Sequence, residues 1–383
     1  MTIDIQGNFE PKFQPVIDSY LASFAEQPHG GSALAIYQHG KPVVNVWGGE
    51  WKESKLNVMF SVTKGLCAIL VHRLVEEGLI DLNRKVSYYW PKFAAEGKGD
   101  ATVAWVLQHQ AGLSATRADF ELEDVLAGDP IDEALAAQEP LWQPGTGHQY
   151  HAMTFGNLVG KLVSIVSSQS LGKAFQTFVA EPLKAEAWIG LPAYQELRVT
   201  TLTSDGKRQP LNAPVGSEPY WIEKAMSFGK AFIPGQEGPG IGFNNPKVHA
   251  AELGGAGGIA TADSLARIWS STVYETNGVR LMSDQTVAAA TKKQVGGVSV
   301  FNEPAPYINR GNGFAIYTPG GLEYLSPAGF GHDGLGGQTG WADPTNGIGF
   351  AYLSDYLLSG PEERRRHESI GSALKQTLAE LNS

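Results

Sequence analysis

The length and composition of the chain indicate a globular protein with a large core. It has 383 residues, of which 42% are hydrophobic and 18% charged, which suits one extended domain or two lobes. The formal net charge of −10 argues against a nucleic-acid partner, because phosphates would be repelled. No apolar stretch reaches about 18 residues, so no membrane partner is expected.

Cysteine, histidine and the N-terminal segment exclude further classes. The single cysteine, Cys67, excludes internal disulfides and a multi-cysteine metal site, and its apolar surroundings favour core packing. The nine histidines show no metal-binding spacing, so no metal and no cofactor are predicted. The N-terminal segment MTIDIQGNFEPKF has neither the basic start nor the apolar run of a secretion signal, which predicts a cytoplasmic protein.

The first part of the chain predicts a hairpin followed by helices. Residues 32–37 and 42–48 are rich in β-formers and flank His39 and Gly40, which is typical of a hairpin. An apolar helix then runs to Gly78, which acts as its C-terminal cap. Between about 80 and 185 the apolar residues recur at three-to-four spacing, which predicts a mostly helical region.

The second part predicts a long loop and a return to strands. Residues 205–248 are interrupted by Gly and Pro and carry five aromatic residues, namely Tyr220, Trp221, Phe228, Phe232 and Phe243. Loops of that length are typical of pocket walls. Next come GGAGG, predicted as a turn before a helix, then the strand-like segments GFAIYT and GIGFAYLSD, and a final helix over 361–381.

These elements together predict an α/β (α+β) fold with two lobes. Residues 1–80 and 250–383 would form an antiparallel sheet flanked by helices. Residues 81–249 would form an inserted, mainly helical lobe that includes the pocket-lining loop 205–248. A site in the cleft between the lobes is expected, since pockets are common there.

A serine followed three residues later by lysine is the main candidate for chemistry. The pattern occurs five times, at Ser61, Ser170, Ser204, Ser227 and Ser372. Only Ser61 begins an almost wholly apolar helix, where Lys64 shares its face and burial would lower the lysine pKa toward that of a base. The alternative is that Ser61 only caps the helix and that Lys64 is solvated.

Two other motifs are weaker. Residues 255–260 match the dinucleotide pattern G-x-G-x-x-A, but no apolar strand precedes them, so a Rossmann site is not expected. The absence of G-x-S-x-G disfavours an α/β-hydrolase.

Four motifs occur in order along the chain, namely FSVTKG, WQPGTGHQYHA, GGAGG-x-x-TA and GHDGLGGQTGWADP. In this order they resemble the serine β-lactamase and penicillin-binding-protein superfamily. The chain is most similar to its class C-like esterases, the family VIII carboxylesterases. The resemblance implies a nucleophilic Ser61 and its partner Lys64, with Tyr150 as general base and acid. It also implies an oxyanion hole made by the backbone N–H groups of Ser61 and Leu335.

The resemblance also points to substrate-binding residues, and here the chain departs from the family. His332, Asp333 and Gly334 occupy the place of a Lys-Thr-Gly triplet, and Ala152 replaces the asparagine of Tyr-x-Asn. His151 lies between Tyr150 and Ala152 and is placed among the substrate-binding residues. It could tune the Tyr150 proton, but its position favours a hydrogen-bonded turn histidine. Asp333 would repel a carboxylate, and His332 could still donate a hydrogen bond.

The expected function is therefore hydrolysis of short, neutral carboxylic esters through an acyl-enzyme, with a small-molecule ester as the partner. Four alternatives stay open. The same site would suit an amidase or D-aminopeptidase, a weak β-lactamase or an acyltransferase, and the fold would also suit a catalytically silent binding protein. The natural ester and the oligomeric state are not specified by the sequence.

Overall fold

The computed structural model describes residues 4–381 except 234, 236 and 237. The strands within this part are β1 Ile5–Phe9, β2 Gly31–Gln38, β3 Lys41–Gly49, β4 Asn57–Val58, β5 Ala187–Ile189, β6 Thr203–Ser204, β7 Gly258–Ala260, β8 Ala315–Ile316, β9 Phe330–Gly334, β10 Gln338–Asp343, β11 Ile348–Ser354 and β12 Tyr356–Leu357. The α-helices are α1 Gln14–Ser23, α2 Val62–Glu76, α3 Val86–Tyr89, α4 Val103–Leu107, α5 Leu122–Ala127, α6 Asp129–Ala137, α7 Thr154–Ser167, α8 Leu171–Phe175, α9 Glu181–Leu183, α10 Glu218–Ser227, α11 Pro246–Ala250, α12 Ala262–Val273, α13 Asp284–Thr291 and α14 Arg365–Leu381.

The main sheet is antiparallel and contains strands from both ends of the chain. Within the described residues its order is β1-β3-β2-β11-β10-β9-β8. The predicted hairpin is β2 and β3, joined at His39 and Gly40, which both have positive φ angles of 49° and 77°. The pairing of β2 with β11 joins the N-terminal hairpin to the C-terminal strands.

The two faces of this sheet contribute to different parts of the core, as strand periodicity requires. Leu34 and Ile36 of β2 face one way and pack in a cluster with residues of α1 and α14. Ala33 and Ala35 face the other way, into the larger cluster that contains α2 and α12. Small side chains on this second face let α12 approach closely. At Gly349 of β11 an added Cβ would lie 2.3 Å from the backbone nitrogen of Ser270.

Helices α3 to α9 lie between strands β4 and β5 in the chain, and α7 and α8 pack against α2. The prediction of an α/β fold with an antiparallel sheet, flanking helices and an inserted, mostly helical lobe is confirmed. No helix among the described residues is both long and apolar enough to cross a membrane.

Three segments differ from their predicted form. The segment 205–248 contains the helix α10, so it is not a continuous loop; three of its positions lie outside the described residues. GFAIYT forms only the two-residue strand β8, because the chain enters a turn directly after it. In this turn the Thr318 N–H donates to the Leu322 carbonyl at 2.7 Å. GGAGG leads into the short strand β7, which pairs with both β4 and β5.

Candidate active site

Ser61 occupies the N-cap position of α2, but its hydroxyl does not cap the helix. The hydroxyl instead lies 3.1 Å from the Lys64 Nζ. The capping alternative therefore does not describe this serine, although its backbone does begin the helix. The N-terminal end of α2 carries the partial positive charge that favours an anion.

The backbone around Ser61 is held in a sparsely populated conformation. Phe60 has a φ of 46°, which is uncommon for a residue with a bulky side chain. Its carbonyl accepts a hydrogen bond from the Thr63 hydroxyl at 2.5 Å, and that hydroxyl in turn accepts one from the Gly258 N–H at 2.8 Å. The sharp turn before Ser61 is thus fastened to β7.

Lys64 is fully buried and is surrounded by acceptors that carry no charge. Its Nζ donates to the carbonyls of Ala152 and Gly255, both at 2.6 Å. Burial first, and then the charge of Arg310, hold the Lys64 pKa well below its ordinary value. A neutral amine has two hydrogens and one lone pair. With both hydrogens on carbonyls, the lone pair is free to accept the hydrogen of the Ser61 hydroxyl.

Tyr150 lies beside this pair. The Lys64 Nζ is 4.8 Å from the centroid of its ring. Burial raises the Tyr150 pKa to about 12, although the charge of Arg310 and a hydrogen bond with Ser61 act to lower it. At neutral pH Tyr150 is therefore protonated, which suits an acid better than a base.

The backbone of β9 runs close to Ser61 at Gly334. An added Cβ at Gly334 would lie 2.3 Å from the Met59 carbonyl oxygen, so a glycine is needed for this approach. The approach brings Leu335 to the cleft beside Ser61, and both residues line the same two cavities. The oxyanion hole expected from the backbone N–H groups of these two residues stays a prediction.

His332 and Asp333, on β9, also lie at the site. The His332 Nδ1 is 2.7 Å from the Asp333 carbonyl, which can only accept, so the proton is on Nδ1. Its Nε2 is buried and has no hydrogen-bond partner among the described residues, and burial lowers the pKa of the ring well below the ordinary value. His332 is thus a neutral acceptor at Nε2, an arrangement that does not fit the hydrogen-bond donation to substrate that the sequence had left open.

Asp333 does not stand alone in the cleft. Its Oδ1 accepts hydrogen bonds from the hydroxyls of Thr339, at 2.7 Å, and Tyr324, at 3.3 Å. The positively charged Arg310 lines the same cavity. Repulsion of a carboxylate by Asp333 is consequently weaker than the sequence alone suggested.

His151 does not fit its predicted role as a substrate contact. It is fully buried, its Nδ1 donates to the Gln149 carbonyl at 2.7 Å, and its Nε2 accepts from the Leu113 N–H at 3.2 Å. Because both ring nitrogens bond backbone groups, the ring of His151 holds the segment that carries Tyr150 and does not face the cleft. Ala152, in contrast, lines the cleft and supplies a carbonyl to Lys64.

Two cavities meet at Ser61, Met226 and Leu335. The first, of about 220 Å³, is mostly apolar, and its walls include Phe60, Leu202, Ile222, Phe232, Ile233 and Phe243. The second, of about 370 Å³, is more polar, and its walls include Tyr150, Arg310, His332, Asp333, Glu363 and Arg364. Two of the five aromatic residues of segment 205–248 therefore line the apolar cavity.

Sequence reasoning missed two residues at the site. Arg310 contacts the Tyr150 ring but belongs to no motif, so the sequence held no signal for it. His109 lies within VLQHQAGL, and its ring packs against Tyr150 with centroids 4.9 Å apart. Its Nδ1 also accepts the His151 N–H at 3.1 Å.

Three of the four rival serines make hydrogen bonds away from the site. Ser170 caps α8 and donates to Glu252, Ser227 donates to the Glu223 carbonyl at the end of α10, and Ser372 donates to the Glu368 carbonyl within α14. Among the described residues no group of three His, Cys, Asp or Glu side chains is placed to hold a metal ion.

The fold and this serine–lysine–tyrosine cluster define a β-lactamase-like protein. A family model described as Beta-lactamase matches residues 16–375. The chain belongs to the beta-lactamase family.

Relatives within the family include proteins named as esterases. The chain is 34% identical over 367 residues to the esterase/beta-lactamase LipL of Mycobacterium tuberculosis, covering 92% of this chain and 83% of the relative. The solved structure of a family VIII carboxylesterase is 29% identical, with a TM-score of 0.83 over 98% of this chain and 100% of the other. EstA from Arthrobacter nitroguajacolicus is 27% identical, with a TM-score of 0.85 over 98% and 99%. The predicted superfamily and the likeness to family VIII carboxylesterases are confirmed.

Proposed function

We propose that this protein hydrolyses neutral carboxylic esters through a covalent acyl-enzyme on Ser61. The observation that carries the proposal is the environment of Lys64. Its amine donates to two carbonyls, burial lowers its pKa well below the ordinary value, and it lies 3.1 Å from the Ser61 hydroxyl. A serine becomes nucleophilic when a neighbouring base can take its proton, and Lys64 meets that requirement.

In the proposed reaction Lys64 takes the Ser61 proton as the oxygen attacks the ester carbonyl. The backbone N–H groups of Ser61 and Leu335 stabilise the resulting oxyanion. Tyr150 gives its proton to the departing alcohol, and the resulting phenolate regains a proton from the Lys64 ammonium. Water then attacks the acyl-enzyme, the same groups act in reverse, and the acid leaves. No cofactor takes part in these steps.

The two cavities suggest how the substrate lies. Tyr150 lines only the polar cavity. The leaving oxygen that it protonates would therefore lie on that side, and the acyl group would occupy the apolar cavity. Ala152 offers that acyl group no amide hydrogen bond, so an apolar acyl chain fits better than a peptide-like one.

The likeness to proteins named as esterases supports an ester as the substrate, and the name esterase/beta-lactamase of one relative keeps β-lactamase activity as a second candidate. Hydrolysis is the proposed reaction, with a small-molecule ester as the partner. A cytoplasmic location and the lack of nucleic-acid and membrane partners remain expectations from the sequence.

The test compares kcat/KM for nitrophenyl esters of increasing chain length, a matched amide and a penicillin. We expect the neutral butyrate ester to be turned over far faster than the amide or the penicillin. A preference for the penicillin would refute the substrate assignment while leaving the cluster intact. Product diverted by added alcohols would indicate an acyltransferase. Failure of Ser61 to react with a fluorophosphonate would indicate a silent binding protein.

A further inference from the structure

The guanidinium of Arg310 lies against the ring of Tyr150. Its Cζ is 4.8 Å from the ring centroid, the same separation as that of the Lys64 Nζ. Cations at this distance interact favourably with an aromatic ring. Arg310 is half-buried in the wall of the polar cavity, and no side-chain hydrogen bond or ion pair of its own is found among the described residues.

The backbone fixes Arg310 at this place. Its N–H donates to the Val295 carbonyl at 3.0 Å, and its own carbonyl accepts from the Gln294 N–H at 2.8 Å. A second bridge joins it to Ala315 at the start of β8. The side chain therefore extends from an anchored backbone rather than from a free loop.

Charged and titratable groups from several segments face Tyr150 and Lys64. They are Cys67 on α2, His109 after α4, His151 beside Tyr150, Glu303 and Arg310 before β8, and His332 and Asp333 on β9. The three histidines are buried, and burial lowers the pKa of each below its ordinary value. Among these described groups, Arg310 therefore carries the positive charge at neutral pH.

We propose that Arg310 is a positioning residue whose fixed charge prepares the Lys64–Tyr150 pair for proton transfer. Its charge disfavours a second cation on Lys64, so the amine stays neutral and able to accept the Ser61 proton. The same charge favours the phenolate of Tyr150, so the phenol gives its proton to the leaving group more readily. One arginine thus strengthens both the base and the acid of the proposed function, on which this inference rests.

The sign of the effect follows from the charge. Removing Arg310 would raise the pKa of both Lys64 and Tyr150. The acid limb of the pH profile, where Lys64 loses its proton, and the alkaline limb, where Tyr150 loses its proton, would then both move to higher pH. The charge of Arg310 acts to lower the pKa of both groups, and a nearby charge shifts a pKa by about one unit or more. At a pH below the acid limb, kcat/KM would therefore fall about tenfold.

The experiment measures pH profiles of kcat/KM for a neutral nitrophenyl butyrate in Arg310→Met, Arg310→Lys and the unmodified protein. In parallel, the rate at which a fluorophosphonate labels Ser61 is measured against pH. Labelling does not depend on ester turnover, so it separates failure of this inference from failure of the proposed esterase. Arg84→Met removes an exposed arginine that lies against the ring of Tyr88, and it controls for the loss of one positive charge.

In Arg310→Met we expect both limbs of the pH profile of kcat/KM to shift to higher pH. In Arg310→Lys both limbs should lie at the pH of the unmodified protein, and in Arg84→Met they should not shift. Glu303→Gln gives a second test in which the arginine is kept. The charge of Glu303 raises the Tyr150 pKa, so the alkaline limb of the Glu303→Gln profile should shift to lower pH. A folded Arg310→Met with an unchanged profile would overturn the proposal. So would a rise in KM alone, which would make Arg310 only a substrate contact.

Discussion

Lys64 is buried among backbone carbonyls rather than carboxylates, and this environment determines what its amine can do. A carboxylate partner would stabilise the charged form strongly, whereas the two carbonyls carry no full charge, and burial and then the charge of Arg310 lower the pKa of the amine. The sequence predicted a lowered pKa from the apolar character of α2. The carbonyls of Ala152 and Gly255, which lie 88 and 191 residues away along the chain, could not be predicted, since they depend on tertiary packing.

Removal of either member of the proton-transfer pair tests its coupling. Lys64→Ala and Tyr150→Phe should each lower kcat by about a thousandfold or more. The double variant should be scarcely worse than the poorer single variant, because residues that act as a unit are not additive. The measurement is kcat and kcat/KM for the butyrate ester, with thermal unfolding as the control for folding. Losses that multiply would show that the two residues act independently.

His332 shows a limit of reasoning from motif position. Its place in the sequence suggested a donor to substrate, but the hydrogen bond to the neighbouring carbonyl fixes the tautomer with the proton on Nδ1. His151 shows the same limit, because adjacency to Tyr150 did not reveal that its ring points into the protein. For both residues the deciding partner is a backbone atom, which a residue pattern does not display.

At the scale of elements, the site depends on a close contact between α7 and the GGAGG segment. An added Cβ at Gly156 of α7 would lie 2.2 Å from the Gly255 backbone nitrogen. This contact holds the segment whose Gly255 carbonyl binds Lys64. The sequence identified GGAGG as a family motif, but it did not reveal that the motif needs a glycine opposite it.

Gly156→Ala should therefore push the Gly255 carbonyl away from Lys64. We expect it to destabilise the fold by about 1–3 kcal/mol through overpacking, and to lower kcat/KM as well. Gly160→Ala is the matched control on the same helix, since its Cβ would lie 3.5 Å from the Leu171 side chain, an ordinary contact. Urea unfolding of both variants measures the difference. Equal stability of the two variants would contradict the packing argument.

At the scale of the whole molecule, the order of the four motifs predicted the superfamily, which no single local pattern could do. Strand periodicity at both ends of the chain correctly predicted a sheet that joins them, because β2 pairs with β11. The division of the cleft into an apolar and a polar cavity was not predictable. The two cavities share Ser61 but draw their walls from α10, from the segment after α13 and from β9, and no sequence pattern relates those parts.

The central claim is that Ser61 is the nucleophile for ester hydrolysis. The most direct measurement is kcat/KM for a neutral butyrate ester in the unmodified protein and in Ser61→Ala, with folding checked by circular dichroism. Loss of a catalytic serine lowers activity by about five or six powers of ten, and we predict a loss of that order here. Alanine at Ser170, Ser204, Ser227 or Ser372 should leave turnover intact. Substantial turnover by a correctly folded Ser61→Ala would contradict the account.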